Sequence, residues 1–347
     1  MSAAGWDPEG PLAARAAEQG IHALPIPTPF AVGRINAYLI DDDPLTLVDS
    51  GPNSGRALDE LERGLRALGH RIEDLGLLVV SHQHMDHLGL VDILQKRSGA
   101  EVAALDLLVP WMARYGEYME AGDAFAESVM ARHGIPEEIR LALRSVASSF
   151  RGWGAGATVT RSLHDGEVLA LRDRTLHVLH RPGHSPTDTV FHDAKARTLI
   201  AADHLIKHIS SNPLISRPPG VPLDDPPPPS EIERPRSLMI YMDSLRKTRE
   251  MELDLVLPGH GEAFDDHAAL IDERFRMHAR RAAKLLKLVE AEPLTGYELA
   301  QALWGNVAVT QAYLTLSEVL GHMDLLIDDG SVTEVEDESG VVHFAPA

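Results

Sequence analysis

The segment SHQHMDHLGL (residues 81–90) follows directly on the apolar run LGLLVV (75–80). A short apolar run of this kind reads as a buried strand, so the polar residues that end it lie at the edge of a sheet. In an extended segment, side chains two residues apart point the same way, and His82 and His84 therefore converge on one point. Asp86 and His87, one turn further on, face a second point beside it. The chain contains no cysteine, which leaves imidazoles and carboxylates as the only strong ligands for a divalent ion. Two adjacent ions need more ligands than these four. His184 in RPGHSPTD, Asp203 in IAADH and His260 in LPGHGE each follow a strand-like run and begin a turn, where a strand delivers a side chain to a sheet edge.

Composition narrows the partners. Against 32 Lys and Arg stand 52 Asp and Glu, a formal net charge of −20, which disfavours non-specific attachment to nucleic acid or anionic lipid. The stretch MSAAGWDPEGPLAARAAEQG (1–20) has no basic region followed by an apolar one, and no apolar run approaches the roughly 20 residues of a membrane span. A cytoplasmic location with no membrane partner is the expectation, and residues 1–20 read as a loosely ordered arm.

Two β-rich halves follow. INAYLI (35–40) and LTLVDS (45–50) flank the turn DDDP, and Leu58, Leu61, Leu65 and Leu68 mark a helix before LGLLVV. A second series of short strands begins near Thr158, and DLVLPGHGE (254–262) ends a last strand between helices at 234–250 and 266–290. This pattern predicts an α/β fold with two sheets face to face and helices outside. Between the halves, residues 106–150 read as short helices rich in Met and aromatics. The segment 213–229 carries eight prolines and reads as a surface loop. After residue 290 the order is helix, helix and hairpin, which resembles a winged-helix module. The domains expected are thus 21–284, with the insert at 106–150, and 285–347.

Two other patterns carry no chemistry. GWGAGA (152–157) lies after a helical stretch and before a strand, the reverse of a dinucleotide-binding context. GHSPT (183–187) lacks the last glycine of a nucleophile elbow. His133, His278 and His322 read as ordinary core or surface residues.

The motif HxHxDH, filled by His82, His84, Asp86 and His87, and the order of the later partners resemble the metallo-β-lactamase superfamily over about residues 22–290. The glyoxalase II-like and lactamase-β-like endoribonuclease subgroups come nearest, the latter through YMDSLRKTREMELDLVLPGHGEAF and the C-terminal module. The resemblance implies a four-layer αββα sandwich holding two divalent ions, zinc above all, with iron or manganese compatible. It assigns His82, His84 and His184 to the first ion, Asp86, His87 and His260 to the second, and Asp203 to a bridge between them. Asp49 in TLVDSGP would steady the ligands from behind. Two such ions lower the pKa of a shared water from about 15.7 towards neutrality, so a hydroxide would attack the carbonyl of a thioester, ester or lactone. Asp86 and Asp203 would be the catalytic carboxylates, Asp86 as proton relay. The alternative is an endoribonuclease-type phosphodiesterase. From Leu288 to the end there are eleven acidic residues and no Lys or Arg, so a small acyl substrate rather than nucleic acid is expected, and the module covers the active-site domain or contributes to a homodimer. The insert is expected to form a lid whose Trp111, Tyr115, Tyr118 and Met119 line an acyl pocket, with Lys207 and His208 also touching substrate.

Overall fold

Each short apolar strand has two faces to bury, and the alternation of its side chains decides how many layers the chain builds. The computed structural model describes residues 10–347. Its strands are β1 (Ile21–Ile26), β2 (Ile35–Ile40), β3 (Thr46–Val48), β4 (Leu77–Val80), β5 (Glu101–Leu105), β6 (Arg161–Leu163), β7 (Val168–Ala170), β8 (Thr175–His180), β9 (Thr189–Asp193), β10 (Thr198–Ala202), β11 (Leu255–Pro258), β12 (Leu294–Thr295), β13 (Val332–Glu336) and β14 (Val342–Pro346). The helices are α1 (Pro11–Glu18), α2 (Gly55–Ala67), α3 (Met85–Leu88), α4 (Val91–Ser98), α5 (Val109–Ala113), α6 (Tyr115–Arg132), α7 (Glu137–Phe150), α8 (Ser237–Arg249), α9 (His267–Ala291), α10 (Gly296–Trp304), α11 (Val307–Thr310) and α12 (Ala312–Asp328).

Strands β1 to β6 form one sheet in sequence order, antiparallel as far as β3 and parallel beyond it. A second sheet runs β11-β10-β9-β8-β7, with β10 and β11 parallel. In β4, Leu77 and Val79 face inward and share a core with Leu176, Val178, Phe191 and Leu257 of the second sheet. Leu78 and Val80 face outward, into a core with Leu61 and Leu65 of α2 and Leu94 of α4. The second sheet repeats the pattern: Val190, Leu199 and Val256 meet Leu245 of α8 and Ile271 of α9 on its outer side. The result is the αββα sandwich, and each fully buried Leu, Val or Ile contributes about 1.5–3 kcal/mol of it.

Strand β6, expected to open the second sheet, joins the first one parallel to β5. The connection between them contains the insert, a crossover long enough to permit a parallel partner. The insert packs in two directions. Met112, with Trp111 and Tyr115, packs on the outer core of the first sheet, whereas Phe125, Val129, Met130 and Ile135 join a core with Leu316, Leu320, Met323 and Phe344 near the C-terminus. Helix α7 has no buried residue.

The C-terminal elements form a third sheet, β12-β14-β13, against α10 and α12. Helix α9 runs unbroken across 284/285: Leu270 and Ile271 belong to the outer core of the second sheet, and Leu285 and Val289 to the C-terminal core. The arm reading of 1–20 is corrected over its second half, where Pro11 starts a helix that buries Ala16; residues 1–9 lie outside the described residues. The proline-rich loop is exposed from residue 224 onward but mostly half-buried before it, where it anchors Ile215 in the C-terminal core. Among the described residues no helix is long and apolar enough to cross a membrane.

Candidate metal centre

Four strand ends meet at one edge of the sandwich. The turn after β4 carries His82 and His84, and α3 lifts Asp86 and His87 beside them. The β8–β9 connection brings His184, the end of β10 brings Asp203, and the loop after β11 brings His260. Two non-glycine residues here take left-handed backbone, Asp49 at φ 60° and Ala202 at φ 44°. Such conformations cost about 1–3 kcal/mol and persist where the surroundings hold them.

The seven side chains fall into two adjoining groups, His82, His84, His184 and Asp203 in one and Asp86, His87 and His260 in the other. In the first, His84 Nδ1 lies 3.1 Å from His82 Nε2 and 2.9 Å from His184 Nε2. In the second, His260 Nε2 is 3.5 Å from Asp86 Oδ2. Asp203 reaches both groups: its Oδ2 is 3.5 Å from His184 Nε2 and 3.5 Å from His260 Nε2, and its Oδ1 is 3.4 Å from His87 Nε2. Four of the outer ring nitrogens are occupied, that of His82 (Nδ1) by the Ser81 hydroxyl at 2.9 Å. His184 Nδ1 meets the Asn212 carbonyl at 3.1 Å, His260 Nδ1 the Arg34 carbonyl at 2.8 Å, and His87 Nδ1 the Asp49 carboxylate at 2.8 Å. These contacts fix the tautomers so that lone pairs point inward. His87 Nε2, His260 Nε2 and Asp203 Oδ1 are buried without hydrogen-bond partners. Orphaned inward-facing nitrogen and oxygen atoms in this density are what a pair of divalent cations would satisfy.

Electrostatics agree. Burial opposes a proton on His87, yet the carboxylates of Asp203 and Asp49 outweigh it and hold its pKa well above the ordinary histidine value. Burial likewise opposes the proton on His260, and Asp203 and Asp86 overcome it, raising the group to about 10. Burial would raise Asp203, but His260 and His87 draw it well below the usual carboxylate range. The carboxylates thus demand positive charge at this spot. His82 and His84 are pushed down by burial and by neighbouring imidazoles, His84 to about 3, and are neutral donors.

The family model of the Metallo-beta-lactamase superfamily matches residues 31–260, a span that contains all seven side chains. The chain belongs to the metallo-β-lactamase superfamily. It is 28% identical over 326 residues to the Bacillus subtilis (strain 168) protein described as "Probable metallo-hydrolase YqjP", covering 94% of this chain and 98% of that one. Two solved structures share the fold, each with a TM-score of 0.77. A metallo-beta-lactamase family protein from Thermus thermophilus is 24% identical, with 94% of this chain and 99% of that one covered. A beta-lactamase domain protein from Burkholderia ambifaria is 25% identical, with 94% and 92% covered.

Around this candidate centre of a metallo-β-lactamase superfamily chain, the structure adds residues that no sequence motif marks. Asp49 also accepts from Ser81, through the backbone N–H at 2.9 Å and the hydroxyl at 2.8 Å. Buried Asn36 donates to the carbonyls of Pro258 and Gly261 at 3.0 and 2.8 Å, and Tyr38 donates to Pro258 at 2.7 Å, so β2 brackets the loop that presents His260. A polar Asn inside the apolar strand INAYLI was the available signal. His208 stands against Gly261, beside His260, and both it and Lys207 are exposed. Trp111, Tyr115 and Tyr118 gather into one aromatic group, with the Trp111 and Tyr115 rings edge to face at 4.9 Å. Tyr115 donates to the Arg151 carbonyl at 3.0 Å, and Met119 is half-buried on the same helix.

Proposed function

We propose that the protein is a hydrolase using two divalent ions, zinc in the first place, to cleave the carbonyl of a thioester, ester or lactone. The observation that carries this reading is the convergence of seven side chains with His87 Nε2, His260 Nε2 and Asp203 Oδ1 buried and unpartnered. His82, His84 and His184 would hold one ion, Asp86, His87 and His260 the other, and Asp203 both. Bound there, the ions supply the Lewis acidity that makes water nucleophilic near neutral pH and polarises a carbonyl oxygen. The chain does the rest. Asp49 keeps the His87 ring oriented, Asn212 and Arg34 do the same for His184 and His260 through their carbonyls, and Asp86 Oδ2 takes and returns the proton of the attacking water.

A carbonyl substrate is favoured over a phosphodiester by charge. The net −20 of the chain and the absence of Lys and Arg after Lys287 weaken the hold on a polyanion. The C-terminal sheet order β12-β14-β13 behind α10 and α12 supports reading that region as a winged-helix-like module, here used for burial against the insert. Tyr118 and Met119 are proposed to meet the acyl part, and His208 the rim of the site. Assaying zinc-loaded protein against thioesters, lactones, esters and RNA tests the reading: turnover of a carbonyl substrate with none of RNA is expected, and the reverse would replace it with the endoribonuclease alternative.

A further inference from the structure

The acidic balance of the chain is locally reversed on α9. Between Glu273 and Glu290 there is no acidic residue, while Arg274, Arg276, Arg280, Arg281, Lys284 and Lys287 lie on α9. Two of the six are committed: Arg274 donates to the carbonyls of Ile206, Lys207 and Ile209, and Arg281 pairs with Glu318. Arg276, Arg280, Lys284 and Lys287 are exposed, and none of them has an ion-pair partner among the described residues. Their spacing of four, four and three residues puts them on one face, about 6 Å apart along the helix. A solvated helix in an acidic protein ordinarily intersperses carboxylates at such positions, as Asp92 and Lys96 do on α4.

Beside these cations runs a groove of about 300 Å³ between α9 and α10, lined by Met277, Arg280, Arg281, Lys284, Leu303 and Trp304. Arg281, held by Glu318, lies 5.7 Å over the indole of Trp304. One wall is therefore cationic and hydrogen-bonding, the other planar, aromatic and apolar. We propose that this groove binds a nucleoside diphosphate, with the base against Trp304, Leu303 and Met277 and the phosphates on Arg280 and Lys284. Adjacent cations about one helical turn apart match two linked phosphates. A long polyanion fits less well, because its further phosphates would meet the carboxylates that crowd the sequence after Lys287. The site is separate from the metal centre and does not depend on which carbonyl is cleaved there.

The test is calorimetric titration of the full-length protein with ADP, adenosine, inorganic phosphate and a single-stranded oligonucleotide of about 12 nucleotides. ADP is expected to bind saturably, adenosine and inorganic phosphate at least about 10-fold more weakly, and the oligonucleotide no more tightly than ADP. Arg280→Ala with Lys284→Ala, and separately Trp304→Leu, are expected each to weaken ADP about 10-fold or more. The two surface substitutions leave the fold intact by melting temperature, which keeps the result readable if Trp304→Leu loosens the module. No saturable ADP binding, inorganic phosphate binding as well as ADP, preference for the oligonucleotide, or indifference to the Arg280/Lys284 change would each overturn the proposal.

Discussion

Gly259 leaves no room for a side chain beside Asp203: a Cβ there would stand 2.2 Å from Asp203 Oδ1 and 3.0 Å from His87 Cε1. The backbone N–H of Gly259 donates to the Ala202 carbonyl at 2.6 Å, so neither strand end can retreat. Gly259→Ala is expected to displace the carboxylate shared by both ion positions and to reduce kcat/KM by about 100-fold, since shifts near 1 Å carry such penalties. Retained circular dichroism with lost metal content would locate the damage; full activity would show that Asp203 has slack the geometry denies.

Asp49 acts on the centre only through its neighbours, His87 at 2.8 Å and Ser81. Asp49→Asn keeps the shape and removes the charge, and a loss of about 10- to 100-fold in metal affinity is expected. Asp203→Ala is expected to cost more, because it removes a contact with both groups. Competition with a chromogenic chelator ranks the two variants, and an Asp49 effect larger than that of Asp203 would reverse the assigned roles.

Arg234 holds Asp324 with two parallel hydrogen bonds of 2.7 Å, tying the segment before α8 to α12. The Asp324 side chain is 4% exposed. Removing Asp324 takes away both charge-assisted hydrogen bonds but leaves Arg234 the Glu334 carboxylate at 3.5 Å, so the cost is about 1.5–3 kcal/mol. Asp324→Ala is expected to lower urea stability by that order, with the spectroscopic change centred on the C-terminal region; a cost under about 1 kcal/mol would show the pair to be solvated.

His133 is buried against Phe344, stacked at 5.8 Å, and its Nδ1 has no partner. Burial, reinforced by Arg234 and Arg132, depresses its pKa from 6.5 to about 3. The folded state therefore refuses a proton that the unfolded chain accepts. Its contribution is full above about pH 6.5 and is lost progressively as pH falls towards 3. Between about pH 7 and pH 5 the loss from this group is on the order of 1–2 kcal/mol, and His133→Leu is expected to flatten the pH dependence of urea stability by that amount. An unchanged slope would mean that His133 takes up its proton without unfolding.

What the sequence revealed and what it hid follow from the range of each signal. The residues that converge were legible because strand parity and turn chemistry act within a few positions: His82 and His84 are two apart, and His184, Asp203 and His260 each follow an apolar run. The supports were not. Asn36 and Gly259 act through backbone carbonyls and close approach, which pairing across 222 positions, as between Asn36 and Pro258, brings about only in the fold. The division at 284/285 failed as a break because α9 serves two cores in turn, and a helix gives no local sign of changing partner. The acidic composition of residues 288–347 likewise gives no sign of the cations on the preceding turns of α9. Met and aromatic content across 106–150 does not distinguish Met130, buried in the C-terminal core, from Met119, half-buried beside the aromatic group.

The central claim is that the seven side chains hold two divalent ions, and metal quantification of purified protein tests it most directly. Protein prepared with zinc and passed over a desalting column is expected to retain close to two equivalents, falling towards none in His84→Ala/His260→Ala, with hydrolysis lost on chelation and restored on zinc addition. A chain that holds no stoichiometric metal and still hydrolyses its substrate at full rate would contradict the account.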